Sequence, residues 1–268
     1  MSGVRLEAKV HIVTGTVTAV QNIIKCCERA GLHVQDVVLE SLASSESVLD
    51  QDEKHLGVAL IDMGGGTSNV AIFLDDAIRY SGVVGLGGNH ITSDISVGLR
   101  TSMEEAEKIK KKYGCAIVEW INPQDVIEVG SVGGQKPREL KQSILTEIIE
   151  ARVEEIVKII EAEMFRSGYF ESLHAGVVLT GGVSLLPGIR EAAEKLFDLP
   201  VRIGIPYHFG GLGDVVKNPI YATATGLLLH GKKHGGQAPI EEKGAMGSTF
   251  AAIRRWFRHL WGRRNNWI

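Results

Sequence analysis

An aspartate two residues ahead of three consecutive glycines and a threonine, Asp62-Met63-Gly64-Gly65-Gly66-Thr67, is a pattern suited to an anion and the cation that accompanies it. Glycine has no Cβ and tolerates positive φ, so consecutive turn amides can cup a phosphate, and Thr67 adds a hydroxyl donor. Asp62, at the end of the apolar run Val58-Ala59-Leu60-Ile61, stands where a carboxylate holds Mg²⁺ through water. No Lys-Ser/Thr follows the glycines and no helix opens there, so neither the P-loop pattern nor the dinucleotide fingerprint applies. The same residues also suit a plain tight hairpin.

Other residues invite chemistry more weakly. Glu40 closes the short apolar run Val37-Val38-Leu39, where it can orient an attacking water or simply cap the helix that follows. Gly87 and Gly88, before Asn89, permit close approach of the backbone to a ligand or a helix. Glu107 and Lys110 lie three apart on one helical face, for which a solvated ion pair is the ordinary explanation. Thr180, Gly181 and Gly182 end a second apolar strand in a second glycine turn. His11, alone in a strand-like segment, reads as structural. Cys26, Cys27 and Cys115 offer neither metal-ligand spacing nor a disulfide framework, and reduced thiols are the better reading.

The elements that must position these residues follow from periodicity. Residues 5–14 alternate polar and apolar side chains as a half-buried strand does, and a helix from about Val17 to Ala30 closes at Gly31. A short strand at 37–39 and a helix from Leu42 to Leu49 precede a meander over 57–84, turned at Asp75-Asp76. Helices follow from His90 to Leu99, with Asp94 on it, and from Met103 to Tyr113, the latter with Ser102 as N-cap. Residues 115–140 are strand-like and irregular. The longest periodic segment is an amphipathic helix over about Leu140 to Gly168. The strand ending at Thr180, a helix Ile189 to Phe197, a strand at 201–204 and a core helix Tyr221 to Leu229 complete the body, and Gly231 to Ser248 has linker composition.

The 268 residues suffice for one large or two ordinary domains, and 44% hydrophobic and 23% charged residues describe a soluble, globular chain. Five arginines and no acid fall within residues 250–268, so of a formal net charge of −3 the preceding residues carry −8. No 18-residue apolar run and no signal-peptide core occur. On a helix, Phe250, Ile253, Trp256, Phe257, Leu260 and Trp261 fall within an arc of about 140°. Arg255 and Arg258 point away from the arc and Arg254 borders it. That is the pattern of an interfacial helix lying on an anionic membrane. A partner-binding helix or a basic nucleic-acid contact would share it.

The order of these signals resembles the nucleotide-binding half of the actin, Hsp70 and sugar-kinase superfamily, and within it the FtsA family of bacterial cell-division proteins. The supporting stretches are Arg5-Leu6-Glu7-Ala8-Lys9-Val10-His11, Leu42-Ala43-Ser44-Ser45, Asp62 to Thr67, Ser131-Val132-Gly133-Gly134, Val178 to Gly182 and the C-terminal segment. The resemblance implies an α/β, ribonuclease H-like fold: a mixed sheet with helices on both faces, plus the C-terminal amphipathic helix. Residues 1–56 would then close a first actin-like domain and its insertion, 57–230 form a second domain with a helical subdomain at about 89–175, 231–248 a linker, and 249–268 the membrane helix.

By the same resemblance the cofactors are ATP and Mg²⁺. Asp62 serves the cation, Gly64, Gly65, Gly66, Thr67 and Asn69 form the second phosphate loop, and Thr180, Gly181 and Gly182 form the adenosine loop. Glu107 and Lys110 match a pair that contacts ribose and base, and Gly87, Gly88 and Asn89 a bend beside the phosphates. Glu40 matches a water-positioning glutamate, although Ser41 stands where Pro commonly follows. The first phosphate loop of the superfamily is absent, so the chain is expected to hold one wall of the cleft, with weak hydrolysis at most in a full-length protein. The function implied is an adaptor that polymerises with itself and, with other division proteins, ties the FtsZ ring to the cytoplasmic face of the inner membrane at the division site, without a nucleic-acid partner. A sugar-kinase-like phosphotransferase and a pilus-assembly adaptor share the loops.

Overall fold

The computed structural model describes residues 7–8, 10–130, 137–207 and 216–234. Its frame is a five-stranded sheet in the order β3-β2-β1-β6-β7, from β1 (Val58–Met63), β2 (Ser68–Leu74), β3 (Ala77–Val84), β6 (Val177–Thr180) and β7 (Val201–Ile203). The first three strands form the expected antiparallel meander, whereas β1–β6 and β6–β7 are parallel, so the sheet is mixed. Asp75 and Asp76 turn the β2–β3 hairpin with φ of 52° and 64°. Such left-handed pairs match the twist of a two-residue hairpin, and Asp tolerates them.

β1 is buried at every position, as a central strand covered on both faces must be. On one face Ile61, Met63, Val70 and Ile72 pack with α4 (Gly88–Gly98), α6 (Gln142–Arg166) and α7 (Ile189–Phe197). On the other, Leu60, Ala71, Phe73 and Val178 pack with Val48 of α2 (Glu40–Val48) and Ala222 of α8 (Ala222–His234). α6 buries Leu145, Ile149, Val153, Ile156, Ile160 and Met164 at three- and four-residue spacing. It ends in a turn at Gly168, where φ is +75°. α5 (Met103–Tyr113) starts as expected, with Ser102 Oγ accepting from the Glu105 amide. A two-stranded sheet of β4 (Val126–Val129) and β5 (Arg138–Lys141) lies in the irregular stretch.

Three expectations are corrected. Residues 10–16 form no strand, because alternation makes a strand only where a neighbour offers a ladder, and none of the described residues does so there. Residues 37–39 join no strand ladder among the described residues, and Glu40 is the first residue of α2 rather than the end of a strand. α8 is a core helix along a narrow stripe only: Ala222, Thr225 and Gly226 are buried while Leu227 and Leu228 are exposed. α1 (Val17–Arg29) forms as its periodicity predicts, yet buries no residue. Short α3 (Gln51–Leu56) opens on a capping box of Asp50 and Glu53.

Contacts divide the chain into Met1–His230 and Gly231–Ile268, and the sheet belongs to the first unit. The tail residues Phe250, Ile253, Arg254, Trp256, Phe257, Arg258, Leu260 and Trp261, and the Ser131 to Gly134 stretch, lie outside the described residues. Among those described, no helix is long and apolar enough to cross a membrane.

Candidate nucleotide site

The glycine loop is a hairpin turn whose two polar edges have different employment. Gly64 N–H donates to Thr67 O at 2.9 Å and closes the turn. The carbonyls of Gly64 and Gly65 accept from the amides of Gly88 (3.0 Å) and Asn89 (2.7 Å), which are first-turn donors of α4 without helical partners of their own. The amides of Gly65, Gly66 and Thr67 donate to nothing among the described residues, and all three residues are exposed. That leaves a short run of amides open to an anion. A Cβ at Gly87 would stand 2.6 Å from Gly64 O, so α4 can seat against the loop only through glycine. The Gly88 and Asn89 amides therefore hold the loop; what they leave for a ligand is the Asn89 side chain.

α5 leans on the same turn. Lys110 Nζ donates to Gly88 O (3.0 Å) and Thr92 Oγ1 (2.7 Å) and pairs with Glu107 at 2.6 Å, while Thr92 Oγ1 also donates to Glu107. Burial alone would raise the Glu107 carboxyl, but the hydrogen bonds from Lys110 and Thr92 outweigh it and hold it below the usual glutamate range. The pair is a half-buried clamp between α5 and α4 rather than a solvated surface bridge. Thr92 is the member that sequence reasoning missed.

Asp62 lies abreast of Asn69 on β2 and Thr180 on β6 and is only 5% exposed. Its Oδ2 accepts from Ser44 Oγ of α2 at 2.8 Å and from Thr223 Oγ1 of α8 at 3.2 Å. Burial pushes its carboxyl up, and these two hydroxyls partly restrain the shift. Asn69 Nδ2 donates to Glu40 Oε2 at 3.0 Å, and desolvation, then the nearby Asp62 charge, raise the Glu40 carboxyl. Two carboxylates thus stand near the carboxyl end of β1, Asp62 on the strand and Glu40 at the start of α2. Neither Ser44 nor Thr223 was singled out from the sequence. An Ala-Ser-Ser run in a helix is its only signal.

The second glycine turn serves as wall more than as ligand. Thr180 is fully buried and its hydroxyl donates to Gly204 O at 3.0 Å, so it anchors the loop's base. Gly181 has φ of +84°, and a Cβ there would meet Asp62 Oδ1 at 2.5 Å. Gly182 is exposed and opens onto a cavity of about 490 Å³. That cavity is lined by Gly64 and Gly65, by Gly88 and Asn89, by Glu107 and Lys110, and by Gly182. Val183, Leu186, Pro187 and Ile220 add an apolar side. Five separated stretches meet in one space, while Glu40, Asp62, Gly66, Thr67, Asn69, Gly87, Thr180 and Gly181 stand outside its lining. The cavity joins the open Gly65 amide, a half-buried ion pair and an apolar slot, which suits a ligand with an anionic end and a flat apolar body.

A cation fits beside these carboxylates only on certain terms. No group of three metal-ligating side chains occurs among the described residues, so the protein offers no cage. Mg²⁺ is commonly held by one or two carboxylates together with waters and substrate phosphates, and the Asp62–Glu40 pair matches that donor set.

A mixed sheet with helices on both faces is the architecture of an actin-like fold. Over 82% of its length the chain superposes on 66% of the Spiroplasma citri MreB5 chain, with a TM-score of 0.64 for the structure bound to ADP and 0.66 for that bound to AMPPNP, at 17% and 18% identity. It also superposes on a chain of the PilM-PilN type IV pilus biogenesis complex, with a TM-score of 0.57 over 80% of this chain and 57% of that one, at 16% identity. The family model described as cell division protein FtsA matches residues 59–226. The chain belongs to the FtsA family of bacterial cell-division proteins. It is 52% identical to the Pseudomonas aeruginosa protein of that description over 231 residues, covering 86% of this chain and 55% of that protein. The corresponding figures are 47% identity, 97% and 64% for Neisseria meningitidis, and 39%, 100% and 64% for Escherichia coli K12. The chain thus spans between about half and two thirds of the length of these relatives.

Proposed function

We propose that the chain supplies one wall of an ATP–Mg²⁺ cleft in a division adaptor that polymerises with itself and ties the FtsZ ring to the cytoplasmic face of the membrane. The observation that carries the nucleotide part is the convergence of Gly64-Gly65, Gly88-Asn89, Glu107-Lys110 and Gly182 on one cavity. In this reading the free amides of Gly65, Gly66 and Thr67 take phosphate, Glu107 and Lys110 take the sugar and base, and Asp62 holds Mg²⁺ through water. Asp62 would hold the water shell of Mg²⁺, which when bound would supply charge neutralisation to the phosphates. The facing wall comes from residues that the longer relatives carry beyond the matched span. Residues 1–56 close the first domain and 57–230 form the second.

Residues 231–248 act as a linker and 249–268 as an interfacial helix, a reading supported by the one-sided apolar arc and the five arginines. Each arginine adds about 1 kcal/mol at an anionic surface, so one tail binds reversibly and a filament of many tails binds firmly. FtsZ and other division proteins are the partners this family reading carries. The test of the cleft is binding of a fluorescent ATP analogue to a full-length family member bearing these residues. Lys110→Met together with Glu107→Gln is expected to weaken binding at least about tenfold. Unchanged affinity would reduce the glycine loop to a plain hairpin.

A further inference from the structure

We infer that Ser44 and Thr223 are positioning residues for the Asp62 carboxylate, an inference that rests on the cation role proposed above. The two hydroxyls come from different helices, α2 and α8, and converge on one oxygen, Asp62 Oδ2, at 2.8 and 3.2 Å. They also stand 2.9 Å from each other. Each hydroxyl carries one proton, so Ser44 gives its proton to Oδ2 and Thr223 shares its own between Oδ2 and Ser44 Oγ. Oδ2 is therefore fully engaged.

The other oxygen is treated differently. Oδ1 accepts no hydrogen bond from the described residues, and it is not sealed off, since Thr146 Oγ1 is the one buried, partnerless side-chain polar atom among them. Gly181 packs close beside it, where any Cβ would sit 2.5 Å from Oδ1, so only glycine leaves this oxygen uncovered on that side. One oxygen is held by the protein and the other is left for something outside it. A carboxylate fixed through one oxygen cannot swing about its Cβ–Cγ bond, so Oδ1 meets a hydrated cation in a single orientation.

The hydroxyls are themselves fixed by backbone packing. A Cβ on Gly226 would lie 1.8 Å from Ala43 O, and Ser47 Oγ donates to Ala222 O at 2.7 Å, so α2 and α8 meet at backbone distance. Two small-residue helices locked this closely on one face of the sheet carry Ser44 and Thr223 to the same oxygen of Asp62. A purely structural role, in which the hydroxyls only satisfy a buried carboxylate, predicts lost stability with no change in cation dependence.

The experiment measures binding of a fluorescent ATP analogue to a full-length family member bearing these residues, titrated with Mg²⁺ and repeated in EDTA, with thermal melts of each variant. Ser44→Ala and Thr223→Val are expected to raise the half-saturating Mg²⁺ concentration about tenfold or more while leaving metal-free binding unchanged. Thr223→Ser, which keeps the hydroxyl, should match the wild type. Thr223 is only half-buried, so its variants keep the test open where Ser44→Ala lowers the melting temperature. If Asp62→Asn shifts the Mg²⁺ requirement and the hydroxyl variants do not, the positioning role is overturned. If Asp62→Asn has no effect either, the cation role itself falls. Equal losses with and without Mg²⁺ would mark the hydroxyls as structural.

Discussion

Asp62 is buried, and loss of water disfavours the ionised form of its carboxyl. Burial raises its carboxyl pKa, so ionisation costs the folded protein stability, a cost that grows as pH rises above the unfolded value and vanishes below it. Asp62→Asn is therefore expected to raise the melting temperature at neutral pH while weakening Mg²⁺-dependent nucleotide binding, a trade of stability for function. Glu107 has the opposite sign. Its carboxyl is held low by Lys110 and Thr92 against burial, so its contribution is present above the unfolded value of about 4.3 and lost as pH falls through the folded one. Urea unfolding should show Glu107→Gln less stable than the wild type at neutral pH, with the gap closing in acid. An acid-independent gap would mean that shape, not charge, holds the clamp.

Elements place these residues through contacts that tolerate no extra atom. The α2–α8 crossing depends on Gly226, where even a methyl group would overlap Ala43 O. Gly226→Ala is expected to cost about 1–3 kcal/mol in chemical denaturation, the usual range for forced overpacking. Gly87→Ala should separate α4 from the glycine loop and weaken nucleotide binding more than stability, since α4 keeps its core residues Ile91 and Ile95. By contrast, Ile156→Ala, at a fully buried position of α6, should lower stability by about 2–5 kcal/mol through cavity formation and leave the affinity of the folded fraction unchanged.

For the whole molecule, the prediction concerns the tail. Removing residues 249–268 should abolish co-sedimentation with anionic liposomes while leaving nucleotide affinity intact, and raising salt should weaken the binding of the intact chain. Binding that survives the deletion would move the membrane contact elsewhere. Much of the architecture was legible in the residues alone. The β1–β3 meander, the Ser102 cap and α6 follow from local periodicity and turn chemistry, which act between residues close in sequence. Residues 10–14 of the strand expected at 5–14 form none because pairing is not local: alternation specifies a face, and a ladder requires a neighbour.

The sequence by itself determined the glycine turns, the carboxylate beside them, the periodic helices and the basic, one-sided tail. Only the tertiary structure decided that Gly64 and Gly65 spend their carbonyls on α4, that Glu107 and Lys110 clamp Thr92 and Gly88, and that Thr180 is a buried anchor. Ser44 and Thr223, which together hold Asp62, lie far apart in the chain. The physical reason is common to all of these. A donor or acceptor is committed by whichever partner the packing of distant helices brings within about 3 Å, and no pattern along the chain encodes that distance.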